Sequence, residues 1–261
     1  MMARRPTDIL AGAYALAIYT FIFLPVAVLV LFSLQATLFP VPPFTGPSLK
    51  WYQAVLTDER LTGALANSLI VATISSFLSV LLGFLAAYGL ARFTLPAGRA
   101  VRALMTAPLS VSYLVIGMGL LILLNAIGMP KSLSSAGLGH VVINLPLCFA
   151  ILYSQMGQHQ ANIERAARDL GASEWQVLVL VTAPMLWPAL FASFFLSMTF
   201  SWDEFVIAFL LTRFETTLPV EIWALLRSGL NPKTNAIGSL VFIVSIVLVV
   251  VLEAVVLRRR R

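Results

Sequence analysis

Long apolar runs separated by short basic or turn-rich stretches set the pattern of this chain. Six runs are long enough, at about 20 residues each, to cross a bilayer as helices. They cover residues 9–34, 65–91, 105–127, 138–156, 187–211 and 237–257. The first contains Pro25, and the second is rich in Ser, Gly and Ala on one side. The fourth is diluted by His140, Asn144 and Pro146. It is needed all the same, because without it the two basic chain ends would fall on opposite sides of the membrane. The pattern predicts an all-α membrane protein with six transmembrane helices, in a single domain over residues 1–261.

Loop charge then orients the chain. With both termini inside, the inner segments hold Arg4, Arg5, Arg92, Arg99, Arg102, Arg165, Arg168 and Arg258 to Arg261. The outer ones hold Lys50, Arg60, Lys131, Arg213, Arg227 and Lys233, so the balance is eleven against six. Both termini are therefore expected to be cytoplasmic. The first run is long for a signal-peptide core and has no clear small-x-small cleavage site, so it reads as retained.

Composition agrees with lipid as the solvent. The chain is 60% hydrophobic and 11% charged, with mean hydropathy +0.95, whereas a soluble domain carries about a quarter charged residues. The net charge of +6 does not require nucleic acid, because four of the arginines form the terminal run after the last apolar segment. The single cysteine, Cys148, cannot form an internal disulfide. There is no GxxxxGK[ST] pattern for a nucleotide and no cluster of metal ligands. No cofactor is therefore expected on this chain. His140 and His159 stand alone in sequence and read as structural or solvated.

Two outer loops are too short for separate domains. FPVPPFTGPSLKWYQAVL starts Pro-rich and turns helical near Ser48. TLPVEIWALLRSGLNPKTN spaces Val220, Trp223, Ala224 and Arg227 as a short surface helix, ended by Gly229 and Pro232.

The inner segment at about 160–184, ANIERAARDLGASEWQVLVLVTAP, is too patterned for a passive connector. Asn162 is placed to cap a helix through Leu170, and Gly171 to end it in a left-handed turn. Ser173 and Gln176 form a capping-box pattern for a second helix running toward Pro184. Glu164, Ala167, Arg168 and Gly171 share one side, and Arg165 and Asp169 are spaced to pair. Residue pattern alone fits either a docking element or an amphipathic interfacial helix.

Here the sequence resembles a known family. ERAARDLGASEWQVLVLVTAP is similar to the EAA loop of ABC-importer permeases, with Ala166, Ala167, Gly171, Val181, Ala183 and Pro184 in register. Arg165 stands where that loop usually has Glu, and Glu164 precedes it. The stretches SLKWYQAVL, NSLIVATISSFLSVLLGFLAAYGLAR, TAPLSVSYLVIGMGLLILL, SWDEFVIAFLLT and TLPVEIWALLRSGLNPKTNAIGSL resemble spermidine/putrescine permease subunits. The resemblance implies a type I importer permease fold in a bacterial inner membrane. It implies a second homologous permease subunit, a cytoplasmic ATPase dimer that uses the ATP, and a periplasmic or extracellular binding protein. It also implies that Glu164, Arg165, Ala166, Ala167, Asp169, Gly171 and Ala172 couple the chain to the ATPase.

The acids Asp203 and Glu204 lie within the fifth run, where carboxylates are expensive and usually functional. On one continuous helix, Ala189, Ser193, Ser197, Ser201 and Glu204 form a small, polar stripe, with Asp203 about 100° away. Glu204 is thus expected to line a passage and Asp203 to flank it. The residues allow a salt bridge to an arginine such as Arg213, a lining that attracts a cation, or a proton relay. The resemblance favours the cationic lining, with Trp202 offering a ring face to an ammonium group. The expected substrate pathway is Ser197, Ser201, Trp202, Asp203 and Glu204. The rival is a proton-coupled secondary transporter, which would show inverted repeats. The first three runs do not match the last three.

Overall fold

A helix in lipid satisfies all its backbone polar groups internally, and helices account for nearly all regular structure here. The computed structural model describes residues 6–38, 42–229 and 231–258. Arg4, Arg5 and Arg259 to Arg261, used above for orientation, lie outside the described residues. No strand occurs among the described residues, only an isolated bridge between Gln35 and Pro47.

The chain divides into two compact units. The first comprises residues 1–62 and 222–244. It contains α1 (Pro6–Ser33), α2 (Lys50–Leu56), and the first part of α13 (Pro232–Arg258). The most apolar window of α1 is not buried by the rest of the chain at all. Lipid or another subunit must cover it. At its end the Ser33 hydroxyl meets the Tyr52 hydroxyl at 2.7 Å, and the Trp51 indole donates to the Gln35 carbonyl at 2.7 Å. Asp58 caps the next helix by accepting from the Arg60 and Leu61 N–H groups. A hydrogen bond from Lys233 holds its carboxyl below the usual carboxylate range.

The second unit comprises residues 63–221 and 245–261. Its elements include most of α3 (Glu59–Arg92), then α4 (Gly98–Thr106), a 3-10 turn (Ala107–Ser110), α5 (Tyr113–Ala126) and α6 (Leu133–Ser154). The segment at 158–185 follows as α7 (Gln158–Asp169), α8 (Glu174–Gln176), a π-helical stretch (Val177–Thr182) and α9 (Ala183–Met185). After it come α10 (Trp187–Trp202), α11 (Val206–Leu211) and α12 (Leu218–Arg227), the last begun in this unit.

Helix α6 is the centre of this unit. The run that looked weakest in sequence is the most buried of the long apolar helices, because its small and polar residues let neighbours approach closely. One core cluster joins Phe84 and Tyr88 of α3 to Phe149 and Leu152 of α6 and Leu178 of the π stretch. Another joins Leu124 of α5 and Ile143 of α6 to Ile207 and Leu211 of α11. Gly139 allows the second: a Cβ there would stand 2.4 Å from Ile207 Cγ2 and 2.9 Å from Leu211 Cδ1. Gly139→Val should therefore destabilise the protein by about 1–3 kcal/mol through overpacking. Gly137→Val, whose Cβ meets nothing within 4 Å, is the control. Thermal unfolding in detergent should separate the two variants, and equal melting would contradict this packing.

Among the described residues, four helices are long and apolar enough to cross a membrane: Leu10–Ser33, Glu59–Arg92, Leu133–Ser154 and Pro232–Val251. Two bent pairs raise the number to six if each counts as one span. The expected span at 105–127 is not one helix. Gly98–Ser110 and Tyr113–Ala126 meet at 109°, because Val111 is extended and Ser112 caps α5 by accepting from the Leu114 N–H. The expected span at 187–211 also breaks, since α10 ends at Trp202 and α11 starts at Val206.

Candidate functional sites: the break at Asp203 and the turn at Gly171

The break in the fifth apolar run falls at the acidic pair, and Glu204 causes it locally. Its carboxylate turns back onto the start of α11 and accepts from the N–H groups of Val206, Ile207 and Ala208 at 2.8, 2.9 and 3.2 Å. Those are donors that a new helix would otherwise leave unpaired. A carboxylate there also meets the positive end of the helix dipole.

The two acids consequently stand in different places from those a continuous helix would give them. Glu204 is buried, at 6% exposure, and its oxygens are committed to backbone. Asp203, which ends α10, is exposed. The stripe reading failed because it assumed an unbroken helix across residues 201–205. Ser193, Ser197 and Ser201 do share a face, but they are buried and pack toward α6. The Ser201 hydroxyl lies 2.5 Å from His140 Nδ1 and 3.1 Å from the Ser75 hydroxyl. Trp202 is only 1% exposed, so its ring presents no face to a solute in this arrangement. Arg213 does not reach either acid; its guanidinium stacks over Phe214.

His140 is the residue that sequence reasoning missed. It reads as isolated along the chain, yet α6 brings it to Ser201, with Nε2 3.6 Å from Glu204 Oε2. That separation exceeds a hydrogen bond. The available signal was its spacing of four from Asn144, both on the buried side of α6. Among the described residues, the Asn144 amide nitrogen, His140 Nε2 and the Trp202 indole nitrogen have no hydrogen-bond partner. Such buried groups cost about 1–3 kcal/mol each. The α6–α10 seam is therefore polar and incompletely satisfied.

The second site is the corner at Gly171, between α7 and α8. As expected, Gly171 is left-handed, at φ +90°. Its N–H bonds the Arg168 carbonyl at 2.9 Å and the Ala172 N–H bonds the Ala167 carbonyl at 3.1 Å, which is the Schellman ending. Ser173 and Gln176 form both bonds of the capping box. Asn162 does not cap a helix, because α7 already begins at Gln158 after Gly157. Its side chain instead accepts from Gln158 and Arg165. Arg165 likewise turns toward Asn162 and the Ala161 carbonyl rather than to Asp169.

Glu164 is not displayed. It is fully buried, and Arg92 from the last turn of α3 grips it at 2.5 and 3.1 Å in a bidentate pair. The Arg92 guanidinium also donates to the Met156 carbonyl, and Thr182 of the π stretch donates to Glu164 at 3.0 Å. One carboxylate thus ties the ends of α3 and α6 to both helices of the corner. Arg168 adds a second tie, donating to Glu174 at 2.7 and 3.0 Å and to the Tyr88 hydroxyl at 3.0 Å. The Glu174 carboxylate raises the pKa of Arg168 above its ordinary value. What the corner displays is Arg165, Ala166, Asp169 and two large apolar side chains, Leu170 at 90% and Trp175 at 69% exposure. Ala167 and Ala172 are half-buried beneath them. Two apolar side chains held out on a rigid corner form a knob suited to a partner's groove.

Comparison with known proteins agrees with a helical transport component built this way. The putrescine transport system permease protein PotI of Escherichia coli (strain K12) is 33% identical over 231 residues, covering 85% of this chain and 82% of that protein. The spermidine/putrescine transport system permease protein PotC of the same strain is 28% identical over 244 residues, covering 93% and 92%. A bacterial ABC transporter involved in the import of the acidic polysaccharide alginate shares the fold, with TM-score 0.68 and 19% identity over 99% of both chains. Residues 79–261 match the family described as binding-protein-dependent transport system inner membrane component. That match takes in the break, the seam and the whole corner. This multi-pass membrane chain therefore belongs to the family of binding-protein-dependent transport system inner membrane components.

Proposed function

We propose that the chain forms half of the translocation pathway of an ABC importer for a polyamine such as spermidine or putrescine. In this reading it has six spans, each bent pair counting as one, with both termini cytoplasmic in a bacterial inner membrane. A second homologous permease subunit completes the pathway, and a binding protein outside the membrane delivers the substrate. A cytoplasmic ATPase dimer binds the ATP, and this chain needs no cofactor.

The observation that carries the substrate class is Asp203. It is an exposed carboxylate at a helix break inside an apolar run, and the chain is similar to polyamine permeases across nearly its full length. An alkyl diammonium crossing lipid needs fixed negative charge along its path, and carboxylates at membrane depth mark such paths. Glu204 has the separate task of holding the break that presents Asp203.

Alternating access needs an element with two arrangements. The α6–α10 seam supports that role, because its unpartnered polar groups can find partners when it opens. The Gly171 corner supports coupling: it exposes Leu170 and Trp175 to a partner while Arg92 and Arg168 anchor it to the spans. The reconstituted complex should take up spermidine or putrescine on ATP addition, in the presence of loaded binding protein. Neither amine entering, while ATP turnover responds to an uncharged solute, would refute the substrate class.

Gly171→Val tests the coupling role separately. A branched side chain in a left-handed turn costs about 1–2 kcal/mol, a local strain that should shift the knob and leave insertion intact. Stimulation of ATP hydrolysis by loaded binding protein should fall. Wild-type stimulation together with wild-type ATPase retention would mean that this corner does not transmit the motion.

A further inference from the structure

Beside α11 lies a cavity of about 600 Å³ that substrate transport leaves unused. Its walls include Pro130, Lys131, Phe209, Arg213, Thr216 and Val220. Lys131 belongs to the turn between α5 and α6, and Arg213 lies just beyond α11. The Ser132 N–H donates to the Leu211 carbonyl at 2.9 Å and ties those two turns together. The backbone thus holds both cations at one end of the packed α5, α6 and α11.

No carboxylate within ion-pair distance of Lys131 or Arg213 occurs among the described residues. The Arg213 guanidinium rests on the Phe214 ring, 4.8 Å from its centroid, and that ring is 86% exposed. The acids next along the chain have other positions: Glu221 is buried and receives the Thr216 hydroxyl, and Glu215 is exposed and not part of the cavity wall. A polyamine would be repelled from such a pocket. An anion fits it.

The depth of the pocket selects which anion. The apolar stretch of α5 ends at Ile127 and that of α11 at Leu211. Residues just past the ends of spanning segments lie among lipid headgroups, and two basic side chains without a carboxylate partner attract a phosphate there. We propose that this cavity binds the phosphate of an anionic phospholipid. Arg213 supplies a planar fork to two phosphate oxygens and Lys131 a point charge to the third side. Phe209 and Val220 form the apolar wall along which the glycerol end leaves toward the bilayer. A free phosphate ion offers the same charged group without that apolar extension.

Native mass spectrometry of the whole permease complex, purified from nanodiscs containing phosphatidylglycerol and phosphatidylcholine, can test the site. The Lys131→Gln/Arg213→Gln double variant should retain phosphatidylglycerol about 25-fold less than wild type, since each of the two basic residues contributes about a fivefold factor. Phosphatidylcholine retention should not change, and inorganic phosphate at millimolar concentration should not displace the lipid. Lys131→Arg should keep the wild-type adduct. Equal phosphatidylglycerol retention in the double variant would overturn the proposal. Displacement by inorganic phosphate would also overturn it, in favour of a soluble-anion site. Loss of binding-protein retention by the double variant, with its phosphatidylglycerol adducts intact, would overturn it in favour of a protein contact.

Discussion

Glu164→Ala is expected to destabilise the protein by about 3–5 kcal/mol, because it strands the Arg92 charge away from water. The Arg92 side chain is 9% exposed and Glu164 is its carboxylate partner. Removing the acid leaves a guanidinium with only the Met156 carbonyl nearby, and Thr182 loses its acceptor. Arg92→Met with Glu164→Leu should recover much of the loss, since an apolar pair of similar volume avoids the desolvation penalty altogether. Thermal unfolding in a fixed detergent measures both. A wild-type melting temperature for Glu164→Ala would mean that the pair is not closed in the membrane. The corner's position relative to the spans should be lost with it, so the double variant can fold yet respond poorly to loaded binding protein.

Asp203→Asn and Glu204→Ala should fail in different ways. Glu204→Ala removes the acceptor of three N–H groups at the start of α11. With about 1–3 kcal/mol for a buried donor left unpaired, a loss of a few kcal/mol and poor yield are expected. Among the described residues the Asp203 side chain has no hydrogen-bond partner, so Asp203→Asn leaves an exposed, isosteric group. The folded yield should be normal, but amine uptake below saturation should drop about tenfold, equivalent to about 1.4 kcal/mol of barrier. Uptake per inserted complex, alongside the melting temperature, separates the two. Equal uptake by Asp203→Asn and wild type would remove the carboxylate from the pathway, and normal stability of Glu204→Ala would remove it from the cap.

The legible parts of this molecule were those governed by local rules. The Gly171 turn and the Ser173–Gln176 box were readable because their hydrogen bonds close within a few residues. Four of the apolar runs were readable as long helices because length marks them, whereas those at 105–127 and 187–211 break. The misread parts depend on partners distant in sequence. Nothing near Glu164 announces that Arg92, 72 residues earlier, takes it out of display. Nothing near His140 announces Ser201, 61 residues later. The helical wheel drawn through residues 201–204 failed for a further reason, since a carboxylate that caps a new helix is itself the cause of the break. The expected pairing of Arg165 with Asp169 lost to the oxygens of Asn162 and Ala161.

The π stretch at Val177–Thr182 has a mechanical consequence. A π turn is an α-helix holding one additional residue, and such turns are rare and concentrated at functional places. Deleting one of its exposed residues, such as Val179, would let the segment relax into ordinary α-helix without interrupting it. The helix on either side would keep nearly the same facing, because a π turn absorbs its extra residue within one wider turn. What would be lost is the wide turn itself, which interrupts ordinary α-helical bonding between the Gly171 corner and α10.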